Sequence, residues 1–271
     1  MIPTVTPVGE PVASVTRIAP TPSGYLHEGN CVNFLRVRRL AQDVGARLAL
    51  RIDDFDPVRY RREYVDDIFR TLDWLDITPD LGPSTTDEFE RHFRLHTRQD
   101  LYRAELDRAI GAGLPCYACE CSRRTLALGV PCTCRARGLT AAGGERALRV
   151  SLPPGLTITV GPEAVSAADQ GPDVVIWRRD DVAAYHLASL VEDRELGTTH
   201  VVRGRDLLAS TAVQLFLAPF FRASQFQRAV FVHHDLITGQ DGSKLSKSTL
   251  GAAPLRHTDE LRDRLIAMGA A

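Results

Sequence analysis

Lys244 and Lys247 are the only two lysines among 271 residues, and they stand three apart in Lys244-Leu245-Ser246-Lys247-Ser248. Every other basic side chain, histidine aside, is arginine. Lysine presents a compact, strongly hydrated ammonium on a flexible stem, whereas arginine is a broad planar fork. Two such point charges behind Gly239-Gln240-Asp241-Gly242-Ser243 suit a clamp that follows phosphate oxygens through a reaction. Asparagine is as rare, with only Asn30 and Asn33. Asn30 closes a second motif, Gly24-Tyr25-Leu26-His27-Glu28-Gly29-Asn30. There His27 and Asn30 can donate hydrogen bonds to a phosphoryl group, and Gly29 leaves the backbone open to a nucleotide. Each motif has a plain alternative, two lysines on a solvated turn and a histidine in a loop. Together they point to the handling of a nucleotide's phosphates.

The cysteines make a third constellation. Cys119-x-Cys121 and Cys132-x-Cys134 are close pairs with enough chain between them to bring four thiolates together. Four sulfurs suit tetrahedral zinc in a small lobe with little core of its own, and four reduced structural cysteines are the alternative. Cys31 and Cys116 fall outside the pattern and read as bystanders. His92 and His96 stand at a helical metal-binding spacing, but Phe93-Arg94-Leu95 between them lacks the glutamate of a zinc hydrolase, so a polar helix face is the preferred reading. His233-His234 follows a strand and could line a nucleotide pocket. Between Ser122 and Arg149, six arginines (Arg123, Arg124, Arg135, Arg137, Arg146, Arg149) face a single acid, Glu145. That excess could meet a phosphate backbone or simply be solvated.

These groups must be carried by elements, and the periodicity supplies them. Val15 to Ala19 reads as a buried strand running into Pro20-Thr21-Pro22-Ser23-Gly24, which cannot be helix. A helix is predicted from about Asn30 to Val44 with Gly45 as its stop, then a strand from Arg47 to Ile52. Helices are predicted over 64–75 and, as one long polar run, over 87–110. From Pro115 to about Gly171 the pattern breaks up, with strand candidates only at 148–152 and 156–160. Alternation resumes with strands at 174–177, 199–202 and 229–232 and helices near 184–193 and 207–216. The pattern predicts an α/β doubly wound parallel sheet interrupted by a Cys-rich insertion. The expected division is a loose tail at 1–13, catalytic halves at 14–114 and 174–271, and the insertion at 115–173. With 44% apolar residues a full core is available. No stretch is long enough to cross a membrane, and residues 1–13 lack the features of a signal peptide, so a reducing cytoplasm is expected. A net charge of −1 gives no global attraction to nucleic acid.

The chain resembles the class I aminoacyl-tRNA synthetases, with His27-Glu28-Gly29-Asn30 as the "HIGH" signature and Lys244-Leu245-Ser246-Lys247-Ser248 as "KMSKS". Arg17-Ile18-Ala19-Pro20-Thr21-Pro22-Ser23-Gly24 is similar to the opening of glutamyl enzymes. Further matches are Arg51-Ile52-Asp53-Asp54-Phe55-Asp56, Ile176-Trp177-Arg178-Arg179, Tyr185-His186-Leu187-Ala188 and Val202-Arg203-Gly204-Arg205-Asp206-Leu207-Leu208. The resemblance implies ATP binding by His27, Gly29, Asn30, Lys244 and Lys247, with His27, Asn30, Lys244 and Lys247 catalytic. It also implies glutamate binding by Arg17, Ala19, Thr21, Asp53, Tyr185 and Arg203. Glutamate has two carboxylates and an ammonium, which calls for cations at two points and an acid at a third.

Too little chain follows Ser248 for an anticodon-binding domain, so the resemblance narrows to the glutamyl-queuosine tRNA(Asp) synthetases. These activate glutamate without tRNA and esterify it to queuosine in the anticodon. The implied cofactors are Mg²⁺ with ATP and one structural Zn²⁺ on Cys119, Cys121, Cys132 and Cys134. The implied partners are ATP, L-glutamate and the tRNA(Asp) anticodon stem-loop, with no membrane, and the protein is expected to be a monomer. Asp53 replaces a glutamate of the family motif, and Thr21 and Ser23 exchange the family's serine and threonine. At the metal site Val130 replaces a tyrosine of the family pattern, which leaves either Cys132 as the substitute ligand or a degenerate site. Transfer of glutamate to a non-tRNA acceptor and a non-catalytic nucleotide- or RNA-binding role remain as alternatives.

Overall fold

The computed structural model describes residues 13–128, 130–139, 146–167, 173–236 and 253–270. Two parallel strand pairs form its centre. Strand β1 (Val15–Ile18) pairs with β2 (Arg47–Leu50) through α1 (Glu28–Val44), a βαβ unit. Gly45 ends α1 at φ 63°, the left-handed conformation that closes a helix readily only at glycine. Strand β8 (His200–Gly204) pairs with β9 (Val230–His234), connected by a 3₁₀ turn and helices α7 (Leu208–Leu217) and α8 (Ser224–Gln227). The two pairs meet where Thr199 N–H donates to the Val15 carbonyl at 2.9 Å. On the outer side of β2, Ala49 makes a parallel bridge to Leu81. Strands β1, β2 and β8 are largely buried, as parallel strands covered on both faces are, whereas β9 at the edge leaves Val230 and Val232 exposed.

The interrupting segment makes its own antiparallel sheet. Strand β3 (Cys116–Cys119), followed by the short helix α5 (Arg123–Ala127), pairs with β4 (Ala147–Ser151), which pairs with β7 (Asp173–Trp177), and β5 (Thr157–Val160) forms a hairpin with β6 (Glu163–Ser166). The strand at 173–177, which periodicity places with the second catalytic half, therefore belongs to the insertion's sheet. Strands β3 and β6 carry no alternation strong enough to be read from sequence.

The predicted long helix over 87–110 does not exist as one element. Helix α2 (Arg62–Trp74) is followed by a single turn, α3 (Thr86–Glu88), a π turn (Phe89–Phe93), a break, a 3₁₀ turn (Leu95–Arg98) and α4 (Gln99–Gly111). The break falls at Arg94, whose ψ of 111° is extended. Its cause is Asp54, whose buried carboxylate accepts from Leu95 N–H at 2.7 Å, Arg94 Nε at 2.5 Å and His96 Nδ1 at 3.0 Å. A buried carboxylate must have such partners, and taking them costs the helix its continuity.

Two hydrophobic clusters hold the molecule. One lies around α1, α2 and the first strand pair and includes Ile18, Val37, Leu50 and Ile68. The other joins α4, the antiparallel sheet, α6 (Tyr185–Glu195) and α7 through Tyr102, Ile176, Leu187 and Phe221. A helix at the far end of the described chain, α9 (Asp259–Ala270), packs against α1. A Cβ on Gly269 would stand 2.7 Å from that of Leu35. Among the described residues no helix is long and apolar enough to cross a membrane.

Candidate active site

One cavity of about 480 Å³ opens at the carboxyl ends of the parallel strands, where open α/β sheets bind ligands. The first strand pair continues past its ends, since Arg51 N–H donates to Ile18 C=O at 2.9 Å and Asp53 N–H to Pro20 C=O at 2.8 Å. That extension brings Arg17, Arg51 and Asp53 to one level. Arg203 arrives from β8 and Asp193 from α6, whose run Leu187–Val191 is buried and, Ser189 aside, apolar.

Arg17 Nε donates to Asp193 Oδ1 at 2.7 Å. Arg51 grips Asp53 with its side-on fork, Nε to Oδ1 at 2.6 Å and Nη2 to Oδ2 at 3.1 Å, and its Nη1 reaches Asp193 Oδ1 at 3.0 Å. Thr198 Oγ1 adds a bond to Asp193 at 3.1 Å, and Ser189 Oγ accepts from Arg51 at 3.1 Å. Burial would raise the Asp193 carboxyl, but the guanidinia of Arg17 and Arg51 hold it down at about 2. For Asp53 burial prevails, and its carboxyl stays above the ordinary value despite the opposing Arg51. Three arginines against two aspartates leave the cavity floor with one positive charge in excess. That suits an anion.

Arg203 differs from its neighbours. Its Nη1 donates to Gln214 Oε1 at 2.9 Å, while its buried Nε and Nη2 have no hydrogen-bond partner. Those two atoms form the same side-on edge with which Arg51 holds Asp53. An empty carboxylate-shaped fork in a buried place is the arrangement expected of a binding group. Next to Tyr185, which is 37% exposed and lines the cavity, lies half-buried His186. Burial, and then Arg203, push the His186 imidazole down to about 4.

The His27–Asn30 motif lines the same cavity. His27 is the N-cap of α1, and Asn30, one turn in, accepts the His27 backbone N–H at its Oδ1 (3.1 Å). With the carboxamide oxygen so occupied, the amide nitrogen is left for the cavity. The entering loop is fixed by Asp67 of α2, 1% exposed, which accepts the Leu26 N–H at 2.9 Å. Gly29, Ala19 and Thr21 line the cavity as well. Asn33 also faces it and donates from Nδ2 to His234 Nε2 at 2.9 Å, while His234 Nδ1 pairs with the Asp235 carbonyl at 2.9 Å. Between a donor and an acceptor His234 is set as a neutral imidazole, and burial lowers its pKa. The histidine of this pair at the cavity is thus His234. His233 turns away, bonding Thr211 Oγ1 at 2.8 Å. Lys244 and Lys247 lie outside the described residues.

The cysteine pairs do converge. The Sγ atoms of Cys119, Cys121, Cys132 and Cys134 all lie within 4.8 Å of one another, with Cys119–Cys132 at 3.7 Å and Cys121–Cys134 at 3.6 Å. Zinc–sulfur bonds of about 2.3 Å set tetrahedron edges of roughly 3.8 Å, so the four sulfurs fit that ion. Backbone N–H groups of Glu120 and Cys121 point at Cys134 and Cys119 sulfurs at 3.5 and 3.4 Å, as thiolates favour. Cys31 is buried in α1, and Cys116 stands apart on β3.

Two other readings change. His92 and His96 sit on different turns either side of the Arg94 break, with His96 on Asp54, so they share no helix face. The arginine excess of the insertion is reduced by Glu120, just outside the counted window, which takes Arg137 at 3.1 Å and Arg146 at 2.7 Å. Sequence reasoning also passed over Arg51 as a cavity residue, Asp193 and Gln214. Only Asp193 had a local signal, an acidic pair with Glu192 inside an apolar helix.

A parallel sheet split by an antiparallel insertion, with cavity and α1 N-terminus at its strand ends, defines the class I synthetase α/β fold. The chain belongs to the class I tRNA synthetase (E and Q) catalytic-domain family, which matches residues 13–128 and 136–267. It is 36% identical over 280 residues to Glutamate–tRNA ligase 2 of Methylobacterium sp. (strain 4-46), covering 96% of this chain and 59% of that protein. It is 33% identical over 251 residues to Glutamyl-Q tRNA(Asp) synthetase of Nitratidesulfovibrio vulgaris, covering 85% of this chain and 76% of that one. A glutamate-tRNA synthetase structure from Elizabethkingia anophelis superposes with a TM-score of 0.67 at 23% identity, over 89% of this chain and 54% of that chain. That likeness concerns the fold.

Proposed function

We propose that the protein activates L-glutamate with ATP as glutamyl adenylate and esterifies it to queuosine in the anticodon of tRNA(Asp). The observation that carries the activation step is the single cavity lined both by the His27–Asn30 turn and by a buried arginine cluster with one charge in excess. Glutamate would place one carboxylate on Arg203 and bring the other near Arg17, with Tyr185 closing the mouth and Asp53 drawing the ammonium. Ala19 and Thr21 would line its path. The α-carboxylate then attacks the α-phosphorus of ATP in line and pyrophosphate leaves. Positioning and charge neutralisation are what such chemistry requires. His27, Asn30, Lys244 and Lys247 would stabilise the phosphates, with Gly29 giving the nucleotide room and Mg²⁺ arriving with it.

The choice of queuosine is supported by relatives named Glutamyl-Q tRNA(Asp) synthetase at 33–35% identity. Zinc held by Cys119, Cys121, Cys132 and Cys134 would supply the cross-link that orders the insertion. A second reading, esterification at the 3′ end of tRNA, is favoured by the 36% identity to a glutamate–tRNA ligase. The test is charging of bulk tRNA with labelled glutamate. Label on queuosine-bearing tRNA(Asp), and on its isolated stem-loop, is the expected result. Label at the 3′ end of tRNA(Glu) would select the second reading. Glutamate exchange activity with no labelled tRNA would point to a different acceptor.

A further inference from the structure

The cavity floor holds three buried arginines, and they are neutralised unequally. Arg17 and Arg51 share Asp193, and Arg51 also holds Asp53. Arg203, 4% exposed, makes no ion pair with an acid among the described residues. Its polar contact is the Gln214 amide oxygen, and Gln214 itself is fully buried on α7. An amide oxygen orients a guanidinium without cancelling its charge. A buried cation left in that state is costly unless something supplies the counter-charge.

We propose that Gln214 is the specificity-determining positioning residue of this cavity: it fixes Arg203 through Nη1 with a neutral partner, so that the Nε–Nη2 edge and a full positive charge are kept for the side-chain carboxylate of a dicarboxylic amino acid. The reading rests on the glutamate-activating function proposed above and names the group that selects its substrate. The carboxylate in question is the non-reacting one. A carboxylate held by both oxygens on a fixed arginine fork is a poor nucleophile, whereas the reacting carboxylate must stay free to approach phosphorus. An amide at that position would leave Arg203 uncompensated and would have to turn a donor toward donors, a mismatch that discriminates strongly. Glutamine and other neutral analogues are thereby rejected by the charge of the site, and the charge is kept by the choice of glutamine over glutamate at position 214.

The experiment is ATP–pyrophosphate exchange with wild type, Gln214→Glu and Gln214→Leu, together with thermal melting of each. In Gln214→Glu the new carboxylate supplies the counter-charge in advance. KM for glutamate is expected to rise at least about tenfold, with kcat and KM for ATP within about twofold and melting no lower than wild type. Gln214→Leu frees Arg203 from its anchor and should raise the glutamate KM while lowering the melting temperature. In the unmodified protein, the amino alcohol that keeps the side-chain carboxylate should compete with glutamate, and glutamine should not. An unchanged glutamate KM in Gln214→Glu overturns the proposal, as does competition by glutamine equal to that of the amino alcohol. A melting loss with equal damage to ATP and glutamate parameters would assign Gln214 a merely structural role and overturn it too. Absence of glutamate-dependent exchange in the wild type would overturn the underlying function instead.

Discussion

The cavity floor and the cysteine lobe both gather arginines, and they treat them in opposite ways. At the floor, Arg17, Arg51 and Arg203 are each about 95% buried, and two of them share one acid, Asp193, whose side chain no solvent reaches. In the lobe, Arg137 and Arg146 converge on Glu120, whose side chain is 38% exposed. Water screens the second arrangement and cannot screen the first. The floor therefore takes definition from its charges, whereas the lobe needs another source of order. Its four converging sulfurs are the candidate.

The sharpest way to break this contrast is to remove the acid shared by two guanidinia. Asp193→Asn is expected to destabilise the protein by about 3–5 kcal/mol in urea titrations at pH 7, because two buried cations lose their partner. The pH dependence has a definite sign. Against the burial that would lift it, Arg17 and Arg51 hold the Asp193 carboxyl at about 2, below the roughly 3.9 of an unfolded chain. Its contribution is thus complete above about pH 4 and is lost as pH falls toward 2. The gap between wild type and Asp193→Asn should narrow over that window, by up to about 2.6 kcal/mol. A cost at pH 7 no larger than a surface ion pair's would make the floor no different from the lobe.

For the lobe, metal analysis is expected to give about one zinc per chain, lost on chelation and in Cys132→Ser but retained in Cys116→Ser. Proteolysis should then cut first between residues 119 and 146. Metal-free protein with an intact, protease-resistant lobe would return its order to ordinary packing. Lys247→Arg carries the comparison to a point charge that a planar fork cannot replace. Adenylate formation should fall at least about tenfold, roughly 1.4 kcal/mol in the barrier, and an unchanged exchange rate would count against a lysine-specific role. The smallest effect is expected from Glu120→Gln, which should move the melting temperature by no more than about 2 °C. A larger shift would mean that the lobe's ion pairs matter as much as its sulfurs.

These contrasts also mark what the sequence could disclose. The β1–α1–β2 unit was readable because its cause is local: apolar periodicity, a proline-rich stop and Gly45 at the helix end. The His27–Asn30 turn and the cysteine spacing were readable for the same reason, and they stand where those patterns placed them. The break at Arg94 was not, since its cause is Asp54, forty residues upstream and brought close only by folding. Gln214 was equally silent, because a buried glutamine in a helix has no pattern until the arginine it faces is known. Asp193 lay between, visible as an acid in an apolar helix but unreadable as the partner of Arg17, 176 residues away.

The end of β2 is clamped from two sides. Arg51 is tied to Asp53, to Ser189 and to Asp193 on α6, while Asp54 binds the broken turn at residues 94–96. Each of these side chains loses its rotational freedom when the chain folds, and folding free energy bears that loss. A ligand entering the cavity finds the floor already ordered and has little conformational entropy left to remove there. Whatever selectivity it meets is then expressed in contacts made or missed against fixed groups. A floor that reshaped itself around each visitor would blur those differences.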